Sequence, residues 1–197
     1  MTYLRRHGDA GQAFPIYITV VGGLLFLALA YLAVGQAAAT RSEAQTAADA
    51  AALAAALETR DQLADHWLAN VLEPDSWQDV FEGEVPVSNT CWRANELAAR
   101  NDATVNCYPD GLLGYTVVAE TNETVGDTIV PGTEDQKATE SATAVIEARC
   151  SIELPAEDSA DGALPRLSCE GEEWDLKPDD LLDLPRPEDL FDVHLAH

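Results

Sequence analysis

From Phe14 to Val34 the chain reads FPIYITVVGGLLFLALAYLAV, with Thr19 its only plainly polar side chain, and from Gln36 to Glu73 it contains neither Gly nor Pro. No other feature limits the fold as much. A helix over those first 21 residues spans about 31 Å at ~1.5 Å per residue, which matches the ~30 Å hydrocarbon core of a bilayer. In lipid every backbone polar group must be paired within the segment, so helix is the conformation this run demands. Pro15 falls in the first turn, where its missing N–H does no harm. Gly22-Gly23 lower helix propensity locally and offer a close helix contact, though not at GxxxG spacing. The helix is expected to run on and stop before Pro74. Unbroken from Phe14 to Leu72 it holds 59 residues, roughly 88 Å at ~1.5 Å each.

Charge divides the chain at the same place. The sequence holds 35 acidic and 11 basic residues, a formal net charge of −24. No charge occurs between Asp9 and Arg41, and beyond Arg41 there are 34 acids against 8 bases. Phosphate binding needs clustered Lys and Arg, so the acidity disfavours nucleic acid as a partner, and none is expected. The reading is an apolar anchor followed by an acidic exported body. A cleaved secretory signal is the rival, with Arg5-Arg6 as its basic start and Ala37-Ala38-Ala39 as a cleavage site. The apolar run exceeds the roughly 7–15 residues of a signal core, which favours retention in the bilayer. A twin-arginine signal is disfavoured because His7-Gly8-Asp9 stands where apolar residues should follow the pair. Arg5 and Arg6 before the span, against Arg41 alone just after it, put residues 1–13 in the cytoplasm and the body outside the cell membrane. The chain is thus read as single-pass, with residues 14–34 in the lipid bilayer.

Residues 35–73 form the continuation. Between Gln36 and Leu57, 12 of 22 residues are Ala, so helix propensity there is near its maximum. Larger apolar residues follow at Leu53, Leu57, Leu63, Trp67, Leu68, Val71 and Leu72, several on one helical face. A solvated stalk and a helix–helix assembly surface are equally open for the Ala-rich part.

Gly11-Gln12-Ala13-Phe14, a membrane helix, and then Arg41, Gln45 and the run Ala47 to Ala56, with Ala48, Asp49 and Leu53 inside it, resemble the TadE-like and TadG-like proteins of Tad/Flp pilus assembly. The resemblance covers residues 8–58. It implies a membrane helix that runs on into an Ala-rich helix outside, and partners among other pilin-like and pilus-assembly membrane proteins. Pilin precursors of this general kind are cut after a Gly with Glu five residues on. Here the fifth residue after Gly11 is Ile16, and after Gly8 it is Ala13. The departure implies an uncleaved, TadG-like accessory role.

The expected fold class is α+β: the membrane helix and its Ala-rich continuation, a small pilin-like α+β domain over residues 74–150, and an acidic, Pro-containing tail over residues 151–197. Cys91, Cys107, Cys150 and Cys169 lie outside on this topology, and four thiols in an oxidising compartment suggest two disulfides with three possible connectivities. Pairing of nearest neighbours would join Cys91 to Cys107 and Cys150 to Cys169. A metal or redox site is disfavoured, because no C-x-x-C spacing occurs. Thr90 to Arg100 reads as a short helix ended by Asn101-Asp102. Tyr115 to Thr121 reads as a strand from its β-branched content, Thr124 to Val130 as a weaker strand, and Ser141 to Cys150 as a half-buried one.

The tail holds 14 acids, 3 bases and 5 Pro, a composition that reads as partly disordered and solvating. Its apolar residues Leu181, Leu182, Leu190 and Phe191, interleaved with acids around Pro185 and Pro187, are candidates for docking a partner. No D-x-D-x-D-G calcium loop occurs. Catalytic sets are missing as well: no G-x-S-x-G elbow contains Ser141, Ser151 or Ser168, no phosphate-binding G-x-x-x-x-G-K is present, and His7, His66, His194 and His197 have no spaced ligand partners. The expectation is a structural protein with no catalytic or metal site, no cofactor and no small-molecule substrate. The alternative is a membrane-tethered binding module that presents its acidic tail to a protein or cell-wall ligand.

Overall fold

The computed structural model describes residues 13–126, 132, 134–153, 164–179, 181 and 183–196. One helix, α1 (Ala13–Ala69), carries 57 residues without a break, about 86 Å at ~1.5 Å each. It ends where Asn70 intervenes: the Asn70 side-chain amide donates to the His66 carbonyl at 2.8 Å, and the Asn70 carbonyl accepts the Trp77 indole N–H at 3.2 Å. A 3₁₀ turn, Pro74–Ser76, and the short α2 (Trp77–Phe81) then reverse the chain. Trp77 returns against Trp67 with ring centroids 5.6 Å apart.

The chain next runs back along α1, pinned rung by rung. His66 Nε2 lies 2.8 Å from the Pro86 carbonyl, and the Ser88 N–H donates to the Gln62 side chain at 2.8 Å. Thr90 donates to the Ala55 carbonyl at 2.9 Å, and Thr59 Oγ1 sits 2.9 Å from Thr90 Oγ1 and 3.0 Å from the Tyr115 hydroxyl. This buried chain of hydroxyls satisfies groups whose isolated burial would cost free energy. It ties α1 to the start of α3 (Cys91–Arg100). Ala94 and Ala98 of α3 are fully covered, one helical turn apart, against α1. The helix lies within a residue of the one the sequence predicts.

Beyond α3 the main sheet takes the order β1-β2-β3-β7, antiparallel throughout. Its strands are β1 (Ala103–Pro109), β2 (Gly114–Thr121), β3 (Thr139–Ala148) and β7 (Phe191–Leu195). The β1–β2 hairpin is tight: an added Cβ at Gly114 would meet the Asp110 carbonyl at 2.7 Å, so only Gly fits there. A second antiparallel sheet, β4 (Cys150–Glu153), β5 (Arg166–Cys169) and β6 (Glu172–Trp174), follows directly from β3. The one-turn helix α4 (Pro187–Leu190) leads into β7.

α1 lies on one face of the main sheet and contacts all four strands. Nearest the apolar N-terminal stretch of α1 the buried filling is all Ala: Ala47, Ala48, Ala103 and Ala119 form one cluster. Farther along it becomes bulky, with Leu63, Trp67, Trp77, Val80, Phe81, Leu167, Leu190 and Phe191. Side chains of one methyl let a helix and a sheet approach closely, so the Ala run from Ala44 to Ala56 is largely interior, whereas Ala37, Ala38 and Ala39 are exposed.

The expected strands at Tyr115–Thr121 and Ser141–Cys150 are present, the latter two residues earlier as β3, with Cys150 opening β4. The weaker expected strand, Thr124–Val130, is seen only in part: the Val125 N–H donates to the Gln136 carbonyl at 2.8 Å, and residues 127–130 lie outside the described residues. The tail differs most from expectation. Its described part supplies β5, β6, α4 and β7, because Leu167, Leu190 and Phe191 complete the core and β7 extends the main sheet. Composition counts the acids of this stretch, but its few apolar residues recur where the core lacks neighbours.

Candidate functional site: the bare end of the long helix and its collar

The two ends of α1 have different surroundings. Over Phe14–Val34 the large apolar side chains face outward, with Phe26 at 70 % and Tyr31 at 83 % of full exposure. Among the described residues, nothing beyond the local helix backbone lies within 4 Å of a Cβ placed at Gly22, Gly23 or Gly35. Thr19, the polar exception, donates back to the Ile16 carbonyl at 2.8 Å, so its hydroxyl is paired within the helix. Among the described residues this is the one helix long and apolar enough to cross a membrane.

Where the bare stretch ends, a polar collar begins. Arg41, Gln45 and Asp49 recur every four residues and share one face of α1. Arg41 Nε lies 2.5 Å from Glu140 Oε1 on β3, with Arg41 mostly exposed. A surface pair of this kind contributes at most about 1 kcal/mol and serves mainly to set register. The Gln45 amide donates to Asp49 Oδ1 at 2.7 Å. Gln45 and Asp49 wall a cleft of about 380 Å³ whose other lining residues are Ser141, Ala142, Thr143, Leu195 and Ala196. Ala48 lies under the sheet. Leu53 borders a second cleft, of about 230 Å³, between α1 and α3. Gly11 and Gln12 lie outside the described residues.

The four cysteines form two bonds. Cys91–Cys107 ties the start of α3 to β1, and Cys150–Cys169 joins directly opposed residues of β4 and β5. Sequence separations of 16 and 19 correspond to about 3 kcal/mol each in the loop-entropy model.

The expected docking residues fall elsewhere. Leu190 and Phe191 are each 1 % exposed, with Phe191 tilted on Phe81 at 5.5 Å, and so are part of the chain's own core. Leu181 packs partly buried against the same core, and Leu182 lies outside the described residues. α4 aims the Leu190–Phe191 pair inward. In it the Asp189 carboxylate accepts the Arg186 backbone N–H at 2.9 Å. That bond, followed by the Arg186 side chain and the Arg149 charge, holds the Asp189 carboxyl below the usual carboxylate range, although partial burial opposes the shift. Arg149 is held above its usual value, chiefly by the Glu170 carboxylate it bonds.

Of the histidines, His66 is occupied by the Pro86 carbonyl, His194 lies 2.9 Å from Asp192, and His7 and His197 are outside the described residues. Among the described residues no group of three His, Cys, Asp or Glu is placed to hold a metal ion. Sequence reasoning missed Glu140 as the partner of Arg41 and the Thr59–Thr90–Tyr115 chain. Neither has a local sequence signal, since each joins residues 31 or more positions apart.

Fold and site together define a small α+β protein built around one long helix, half of it bare and apolar and half enclosed. The match to known proteins falls on that junction: residues 11–58 fit the family model described as Flp pilus-assembly TadE/G-like. The match covers that segment alone, and residues 59–197 lie beyond it. No curated protein and no solved structure matches the chain.

Proposed function

We propose that this chain is a membrane-anchored, pilin-like accessory component of Tad/Flp-type pilus assembly, acting by helix packing and protein–protein contact and not by catalysis. The supporting observation is that the TadE/G-like match spans both the bare apolar half of α1 and the start of its enclosed half. The bare half sits in the bilayer with the N-terminus in the cytoplasm, the body stands outside, and the partners are other pilus-assembly membrane proteins. The acidic-tail alternative loses part of its support, since Leu190 and Phe191 are buried.

The test is deletion of the gene in its native cell. Loss of surface pili, restored by the full chain and not by residues 40–197 alone, is the expected result. Normal piliation, or a genome without a secretion ATPase and its polytopic partners, would sink the proposal. Fractionation should leave the intact chain in membranes after salt and alkali washes, whereas a form starting at Thr40 in the medium would refute anchoring. A membrane-impermeant thiol label should reach the reduced body in intact cells but not a Thr2→Cys variant. The opposite pattern reverses the orientation.

A further inference from the structure

β3 is covered unequally on its two edges. β2 pairs with it as far as Thr139, whereas β7 pairs only with Ala144–Ala148. Among the described residues, Thr139–Thr143 therefore has a strand on one side alone. The direction of its backbone groups follows from the bonds around it. In an antiparallel ladder a residue's N–H and C=O point the same way, and successive residues alternate. The Ile146 N–H goes to the Leu113 carbonyl and the Ala138 carbonyl accepts the Thr121 N–H, so even-numbered residues face β2. The Ala196 N–H goes to the Thr143 carbonyl and the Arg149 N–H to the Leu190 carbonyl, so odd-numbered residues face β7. Thr139 and Ser141 thus direct both backbone groups, and Thr143 its N–H, at the uncovered side. That row is a template for a further strand.

The cleft of about 380 Å³ between α1 and the end of β7 lies along this edge. A strand entering in line with β7 would sit about 4.8 Å from β3 and turn alternate side chains toward α1. The group waiting there is Asp49. Its carboxylate takes only the Gln45 amide and, among the described residues, no cation, whereas Glu140 is already paired with Arg41. A second copy of this chain is a poor donor, because each copy has a formal charge of −24.

We infer that the Thr139–Thr143 edge receives an extended segment of a different exported protein, bonded through its backbone and carrying a Lys or Arg opposite Asp49. Backbone pairing supplies adhesion and the charge supplies selectivity. The inference does not depend on the pilus reading, since a strand edge binds whichever apparatus the chain serves.

The test uses the full ¹⁵N-labelled chain in detergent micelles. The probe is the pentapeptide acetyl-Thr-Val-Lys-Val-Thr-amide, with Glu in place of Lys as its counterpart. The Lys peptide should shift the Ser141 and Thr143 amides, slow their hydrogen exchange, and bind a few-fold more tightly than the Glu peptide, as expected of a surface ion pair. Asp49→Asn should erase that preference. Ser141→Pro, which removes an outward N–H at an edge where Pro is tolerated, should lower affinity at least about tenfold. If that variant fails to fold, a Lys peptide N-methylated at alternate residues replaces it and should fail to bind the unaltered chain. Absence of shifts at residues 139–143, equal binding of the Glu peptide, an unchanged preference in Asp49→Asn, undiminished binding by Ser141→Pro or the methylated peptide, or dimerisation through this edge would each overturn the inference. Because the readout is peptide binding, its failure is separable from any loss or retention of pili.

Discussion

The residues of α1 that look most like a protein core are the ones its own body leaves uncovered, and those that look least like one are sealed. Phe14–Val34 carries exposed Leu, Ile, Val, Phe and Tyr with no element of the described body packed on them, whereas Ala44–Ala56 includes Ala47, Ala48, Ala51, Ala52 and Ala55 at 0 % exposure. Apolar area alone, at about 25 cal/mol per Å², would assign the interior the other way round. The difference is one of fit. Ala lets the sheet and α3 close on the same helix from two sides. Large side chains all around a helix call for apolar surroundings on every side, in a protein interior or a bilayer. Along the enclosed half the body then widens from Ala47, Ala48, Ala103 and Ala119 to Trp67, Trp77, Phe81 and Phe191.

The sharpest break between the halves should come at the wide end. Trp67 is 1 % exposed and stacks obliquely on Trp77, while its indole N–H has no partner among the described residues. Trp67→Ala therefore forfeits packing without orphaning a hydrogen bond, at a cost of about 3–5 kcal/mol. The body's thermal transition, followed by near-ultraviolet circular dichroism in detergent, should fall steeply or vanish. Leu25→Ala, in the bare half, should leave that transition unmoved. Equal losses from the two substitutions would erase the distinction.

Cross-links come next. Cys107→Ser should destabilise the body by about 3 kcal/mol and open α3 to proteases, because Cys91–Cys107 fastens that helix to β1. Cys169→Ser should loosen the small sheet while β2 and β3 stay protected. Peptide mapping of the unreduced chain checks the pairing itself, and a Cys91–Cys169 bond would contradict it.

The narrow end gives a smaller effect of opposite chemistry. Ala51→Leu adds three carbons at a position that is 0 % exposed, and such overpacking costs about 1–3 kcal/mol. Ala28→Leu adds the same atoms on the bare, exposed half and should be silent in the body's melting curve. If Ala51→Leu stabilised the body, the Ala interior would be loosely filled and the argument from close approach would fail.

What the sequence made legible depends on the range of the interaction. The length of α1 could be read locally, since Gly and Pro are absent from Gln36 to Glu73. So could α3, ended near Asn101, and β2 with its β-branched run. What the Ala face packs against could not be read, because propensity reports on the helix and not on its neighbour. β7 was hidden for the same reason: Phe191-Asp192-Val193-His194-Leu195 alternates as a strand, but it follows two prolines and a dense set of acids. Only the partnership with β3, from Ala144↔Leu195 to Ala148↔Phe191, makes it a strand. β1 escaped notice because Ala103–Pro109 mixes small, polar and Pro residues that pairing with β2 overrides. In the collar, Arg41, Gln45 and Asp49 stood out from family resemblance, but Glu140, 99 residues from Arg41, had no local mark.

The smallest expected effect tests whether the two halves of α1 respond independently. Asp189 accepts the Arg186 backbone N–H within α4, the turn that sends Leu190 and Phe191 into the core. Its carboxyl is held below the usual carboxylate range, first by that backbone bond, opposed by partial burial, then by the Arg186 side chain and the Arg149 charge. A carboxyl lowered on folding stabilises the fold above its unfolded value, near pH 3.9, and that contribution is lost as pH falls through the still lower folded value. Asp189→Asn keeps an oxygen that accepts the N–H but removes the charge. At neutral pH it should therefore weaken the fold by no more than about 1 kcal/mol, the scale of a helix cap. The difference from the unaltered chain should close as pH drops below the folded value. Hydrogen exchange should register this at β7 and α4. Amides of Phe14–Val34 in detergent should keep their protection at every pH, because nothing in α4 or β7 touches them. Loss of protection there in step with β7 would mean that the bare half depends on the body, and α1 would have to be treated as a single cooperative unit.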